Sequence, residues 1–124
     1  MAKTLMIVDD SATMRKIIMR TVRMSGLEFD RIEEAGNGIE ALEKLNGGAV
    51  DIILCDINMP EMSGTDLVKM VRQNPACNNT KIVMVSTESS QELIDSVIAD
   101  GANGFICKPF TPEKFQEKVS PFMN

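Results

Sequence analysis

Apolar residues in this chain follow two alternating rhythms, and that alternation limits the fold more than any other feature. Runs at residues 5–8 (LMIV), 51–55 (DIILC), 81–85 (KIVMV) and 104–107 (GFIC) have the length and near-continuous apolar character of strands buried on both faces. A weaker run, 31–35 (RIEEA), is partly charged and suits a sheet edge. Between the runs, apolar residues return every three or four positions, as on one face of a helix. Ser11 caps a first helix with Met14, Ile17, Ile18, Thr21 and Val22 inward, and Gly26 suits its stop. Asn37 and Glu40 form a capping pair that opens a short helix through Leu45, which Gly47 and Gly48 end. A third helix over 65–72 turns Leu67, Val68 and Val71 inward, after the loop NMPEMSG. Ser89 and Glu92 pair to start a fourth, with Leu93, Ile94, Val97 and Ile98 inward and its end near Gly101. Thr111 caps the last, with Pro112 at its first position, where a missing N–H costs nothing, and with Phe115, Val119 and Phe122 inside.

Strand and helix thus alternate five times, which predicts an α/β fold: a doubly wound, five-stranded parallel sheet with helices on both faces. At 124 residues the chain suits one domain, 1–124, with no internal repeat and no linker. Apolar residues make up 44%, enough for a packed core, so the ten methionines read as core or loop packing and Phe110 as core. The net charge is −5 and the basic residues are scattered, which argues against a nucleic-acid partner. No membrane span or signal peptide is visible, so a soluble cytoplasmic protein is expected. There is no histidine, which removes His-ligated zinc and Ser-His-Asp chemistry together. Cys55, Cys77 and Cys107 form no CxxC pair and read as small apolar filler in a reducing compartment.

In open parallel sheets, ligands bind beyond the carboxyl ends of the strands. Asp9 and Asp10 stand there after the first strand, Asp56 after the third, Ser86 and Thr87 after the fourth, and Lys108 after the fifth. Two carboxylates about 4 Å apart repel by roughly 4 kcal/mol at an effective dielectric of 20, and a third worsens this. One lysine leaves two negative charges over, which a divalent cation would balance. The donors are all oxygen, so Mg²⁺ fits best, with Asp10 expected to ligate directly and Asp9 partly through water. Asp56 is then a candidate nucleophile for phosphoryl transfer, Lys108 a stabiliser of the transferring oxygens, and Ser86 a donor to them.

VDDS, DINMPEMSG, MVSTE and KPF, in this order and spacing, resemble the receiver domain of two-component response regulators over essentially the whole chain. MRKI after the first acids and KPFT near the end make it most similar to the single-domain chemotaxis regulators of the CheY type. The resemblance implies a flavodoxin-like fold with strand order 2-1-3-4-5, an order that belongs to the family and is not read from this sequence. It implies Asp9 and Asp10 as metal-binding acids, Asp56 as the phosphoacceptor, and the backbone carbonyl of Asn58 completing the Mg²⁺ shell. It also implies Ser86 as the switch hydroxyl, Lys108 as the site lysine before a cis Pro109 that aims the ammonium inward, and Phe105 at the aromatic switch position. A histidine kinase would donate the phosphoryl group. Phosphorylation would then reshape a face made by the fourth helix, fifth strand and fifth helix, which binds a downstream target such as the flagellar switch. No output domain is expected, and the protein is expected to be a monomer. Lys118 and Phe105 are candidate contacts on that face, although Lys118 reads more simply as a solvated helix charge. Asn58 and Glu88 flank the expected path of the hydrolytic water, which suggests a short-lived acyl phosphate.

Three positions depart from the chemotaxis pattern. Phe105 replaces a tyrosine and lacks its hydroxyl, Ser86 replaces a threonine, and Thr87 stands where a very small residue is usual, so that its branched side chain narrows access to Asp56. Other functions compete. A phosphorelay intermediate or phosphate sink would use the same chemistry with another partner. A Mg²⁺-dependent phosphatase with an aspartate nucleophile would place DxD after the first strand and carry a cap, and the Asp9-Asp10 pair lacks that spacing. A flavodoxin-like cofactor carrier would need a phosphate-cradling loop where VDDSA puts two negative charges.

Overall fold

The computed structural model of the chain describes residues 3–59, 62–88 and 90–123. Five strands, β1 (Thr4–Val8), β2 (Arg31–Ala35), β3 (Ile52–Asp56), β4 (Lys81–Ser86) and β5 (Gly104–Cys107), alternate with five helices. The helices are α1 (Ala12–Met24), α2 (Gly38–Asn46), α3 (Gly64–Arg72), α4 (Gln91–Ala99) and α5 (Pro112–Val119). All neighbouring strands are parallel, in the order β2-β1-β3-β4-β5. The expected architecture is therefore the one observed.

Strand residues divide between the two faces by the period of two that extended backbone imposes. Met6, Val8, Ile53, Cys55, Ile82 and Met84 face α2, α3 and α4, where they meet Leu45, Leu67, Val68, Val71 and Val97. Leu5, Ile7, Ile52, Leu54, Val83, Val85 and Ile106 face α1 and α5, meeting Ile18, Val22, Phe115 and Val119. Each such side chain contributes about 1.5–3 kcal/mol by leaving water. A one-residue slip of a central strand would exchange these two layers entirely.

Helix starts follow the capping residues. Ser11, Asn37 and Thr111 accept from the backbone N–H groups of Met14 (3.1 Å), Glu40 (2.8 Å) and Lys114 (3.1 Å). Ser63 does the same for α3, toward Asp66 at 3.2 Å. At α4 the expectation needs correcting. The cap is Ser90, whose Oγ accepts from Leu93 N–H at 3.3 Å, and Ser89 lies outside the described residues. Adjacent serines offer the same hydroxyl one residue apart, so the pattern did not fix the register. Ile17 and Ile98, expected inward, are exposed instead, at 53% and 44%. They sit at the margin of each helix's apolar stripe, beside the buried Ile18 and Val22 of α1 and the buried Val97 of α4. Phe122 packs on the α1–α5 side from a single 3-10 turn (Ser120–Phe122) rather than from α5 itself. No helix among the described residues is long and apolar enough to cross a membrane.

Candidate functional site: an acid cluster at the reversal of strand order

The order β2-β1-β3-β4-β5 reverses direction between β1 and β3, and a cleft opens beyond the carboxyl ends at such a point. Val8 pairs with Cys55, so the next residues, Asp9 and Asp56, emerge side by side. Asp10 follows on the loop to α1. One carboxylate oxygen from each of Asp9, Asp10 and Asp56 lies within 4.8 Å of the others. Asp9 and Asp56 are buried, at 2% and 6% exposure, and Asp10 is exposed.

Lys108 supplies the counter-charge. It leaves β5, two strands and so about 10 Å from β3, a span that needs a long side chain. Its backbone N–H donates to the Ser86 carbonyl at 2.9 Å. Its Nζ sits 3.3 Å from Asp56 Oδ2 and 3.5 Å from Asp9 Oδ2. The Lys108–Pro109 peptide is cis, as the resemblance implied. Asp9 Oδ1 accepts from Ser11 N–H at 2.9 Å, and Asp56 Oδ1 accepts from Asn58 N–H at 3.3 Å.

Asp9 Oδ2 has an ionic neighbour in Lys108 but no hydrogen-bond partner among the described residues. A buried carboxylate oxygen left this way is costly, and a hard cation would satisfy it. The donor set, the spacing and this orphaned oxygen fit a divalent metal ion. Burial pushes the Asp56 carboxyl above the usual carboxylate range; Lys108 acts against that shift and Asp9 adds to it. Cys55, wholly buried next to these acids, is held strongly toward its neutral thiol. Cys55 and Cys77 are buried as filler would be, whereas Cys107 is exposed at the end of the edge strand β5, which corrects that reading for it.

Ser86 is fully buried, and its Oγ accepts from Glu88 N–H at 3.1 Å, which leaves its own proton free to donate. Thr87, Glu88 and Asn58 are exposed around the cleft. Thr87 also lines an apolar recess of about 270 Å³ with Met14, Ile17, Ile18, Thr21, Lys108, Pro109 and Phe110. Phe105 is half-buried, packed against the α2–α3–α4 core. With Lys118 it borders a recess of about 420 Å³ between α4 and α5, floored by β5 and flanked by Ile94 and Ile98. Phe105 and Lys118 therefore share one face.

Two residues at the site carried no role in the sequence reading. Arg15, inside the MRKI run, donates to the Asp9 carbonyl at 2.6 Å and pairs with Glu34 at 3.1 Å. Gly64, the first residue of α3, donates to the Ile57 carbonyl at 2.8 Å, and a Cβ there would lie 2.3 Å from the Asp56 carbonyl oxygen. Neither has a signal of its own in one sequence, since arginine on a helix and glycine after serine are both commonplace.

The response regulator receiver domain profile matches residues 5–120. The chain is 42% identical over 116 residues to chemotaxis protein CheY1 of Helicobacter pylori, covering 93% of this chain and 92% of that one. It is 40% identical to the chemotaxis protein CheY homolog of Campylobacter jejuni, covering 93% and 88%. Among solved structures, chemotaxis protein CheY4 of Vibrio cholerae superposes with a TM-score of 0.88 at 35% identity, over 99% of this chain and 100% of that one. With the fold, the strand order and the acid cluster all in agreement, the chain belongs to the response regulator receiver domain family of two-component signal transduction.

Proposed function

We propose that the chain is a phosphorylation-controlled switch of a chemotaxis system. One observation carries the reading: the Asp56 carboxylate is set beside Asp9 and Lys108 at the rim of the sheet, with an unsatisfied buried oxygen next to it. Asp9, Asp10, Asp56 and the Asn58 carbonyl would hold Mg²⁺, which when bound neutralises charge on the transferring phosphoryl oxygens. An Asp56 oxygen attacks phosphorus of a kinase phosphohistidine, the P–N bond breaks, and the imidazole leaves, giving an acyl phosphate on Asp56. Lys108 Nζ pairs with the phosphoryl oxygens in place of the free carboxylate. The free Ser86 hydroxyl proton donates to one of them, which draws the start of the β4–α4 loop inward and Phe105 after it. The face of α4, β5 and α5 then favours one of two existing arrangements, a population shift of a few kcal/mol.

On this reading the protein is a cytoplasmic monomer that turns over no substrate beyond its own acyl phosphate. The receiver domain passes the signal by binding another protein. The relatives named as chemotaxis proteins support a chemotaxis role, and the flagellar switch is the target this reading assigns. Protein treated with acetyl phosphate and Mg²⁺ is expected to retain flagellar switch protein on a pull-down, to release it as the acyl phosphate hydrolyses after the donor is removed, and to retain none when Mg²⁺ is left out of the phosphorylation step. Retention of a histidine phosphotransfer domain instead, with no switch protein bound, would replace this target with a phosphorelay or phosphate-sink role.

A further inference from the structure

Asp10 is the exposed member of the acid trio, and no hydrogen bond or ion pair holds its carboxylate among the described residues. Its direction therefore depends on the backbone that presents it. That backbone is gripped on one side. Asp9 N–H donates to the Ala35 carbonyl at 3.1 Å, and Asp9 Oδ1 takes Ser11 N–H. The Asp9 carbonyl, in the peptide that leads into Asp10, takes Nη1 of Arg15 at 2.6 Å. Arg15 is itself anchored by Nε on Glu34 Oε1 at 3.1 Å, from the edge strand β2. Lys44 of α2 donates to the Glu34 backbone carbonyl and lies 3.9 Å from Glu40, so the anchor continues into the next helix.

We propose that Arg15 is a positioning residue for metal binding: its guanidinium fixes the Asp9–Asp10 peptide and thereby aims the Asp10 carboxylate at the cation. The inference rests on the acid trio being the Mg²⁺ site. Its physical content lies in a conflict of signs. Arg15 places a positive charge close to a cation site, so by charge alone its removal would tighten Mg²⁺ binding. By position its removal frees the peptide and weakens binding. Outer-shell partners that orient a ligand are worth about 10–100-fold in metal affinity. Asp10 is one ligand of several, which places the expected loss near the lower end, about tenfold. A lysine keeps the charge but cannot fork between the Asp9 carbonyl and Glu34.

The test is titration of the intact protein with MgCl₂ by calorimetry, for wild type, Arg15→Met and Arg15→Lys. Far-UV circular dichroism establishes that each is folded. Both variants are expected to bind Mg²⁺ about tenfold more weakly than wild type. In metal-free ¹⁵N spectra the Asp10 and Ser11 amide signals are expected to shift. Should Arg15→Met not fold, Arg15→Lys carries the comparison. Equal or tighter binding by the folded variants overturns the inference, and so does a lowered melting temperature with unchanged affinity, which would make Arg15 a plain tie between α1 and β2. Absence of Mg²⁺ binding by wild type removes the metal site itself, and the inference with it.

Discussion

Replacing Gly64 by alanine adds one methyl group where helix propensity welcomes it and the fold does not. Gly64 opens α3 directly beneath the end of β3. A Cβ there would stand 2.3 Å from the Asp56 carbonyl oxygen, 2.8 Å from Ile57 Cα and 3.0 Å from Met84 Cε. Ordinary non-bonded contacts lie at about 3.5 Å, so the overlap is about 1 Å, and the two closest atoms are backbone. Overpacking a close-packed site costs about 1–3 kcal/mol, and a clash against backbone belongs at the upper end. Alanine offsets at most about 1 kcal/mol of that by its helix propensity, since Gly64 is the first helical residue. The net expectation is a destabilisation of about 2 kcal/mol, or roughly 6–12 °C in melting temperature for a chain of this size. With no tryptophan or tyrosine in the chain, far-UV circular dichroism is the suitable probe of the melt. The peptide pushed aside belongs to Asp56, so phosphoryl uptake from acetyl phosphate should slow in the same variant. A melting temperature at or above that of wild type would show that α3 moves away freely and that Gly64 does not set the position of Asp56.

Other perturbations separate the parts of the account. Because burial raises the Asp56 carboxyl above its unfolded value of 3.8, the folded state binds more protons than the unfolded state just above that pH. Ionising Asp56 therefore costs stability at neutral pH and nothing below 3.8. In EDTA, Asp56→Asn should raise the urea midpoint at pH 7, with the gain shrinking as pH falls toward that value; a gain independent of pH would contradict the assignment. Thr87→Ala should speed phosphorylation by small donors such as acetyl phosphate, read as the initial rate by mass spectrometry, and an unchanged rate would mean that the exposed Thr87 side chain does not narrow the cleft. Substituting Glu88 or Asn58 should change the acyl-phosphate lifetime, followed by loss of the phosphoryl mass after donor removal, and identical lifetimes in both variants would take them off the water's path.

The sheet was legible because each central strand is apolar on both faces, which one sequence displays directly. The candidate site was legible because the chemistry lies at strand ends. Asp9, Asp56, Ser86 and Lys108 each follow or finish a run whose register the burial pattern fixes, and parallel pairing then brings them together. What stayed hidden depends on contacts between elements. Ser90, not the expected Ser89, caps α4, and two adjacent serines offer the same hydroxyl one residue apart, so local pattern does not choose between them. Ile17 and Ile98 carry the helical period but lie where no second element covers them, next to recesses lined by Phe110 and by Phe105. Arg15 meets the site at the Asp9 carbonyl, and Gly64 at the Asp56 and Ile57 carbonyls, and backbone acceptors leave no trace in side-chain spacing.

At the centre of the account stands the claim that the Asp9–Asp10–Asp56 cluster is completed by a divalent cation and that this makes Asp56 an acceptor. Intact mass after incubation with acetyl phosphate, with and without Mg²⁺, measures it directly. One added phosphoryl group is expected on wild type with Mg²⁺, little or none in EDTA, and none on Asp56→Asn. Equal uptake in EDTA, or full uptake by Asp56→Asn, would contradict it.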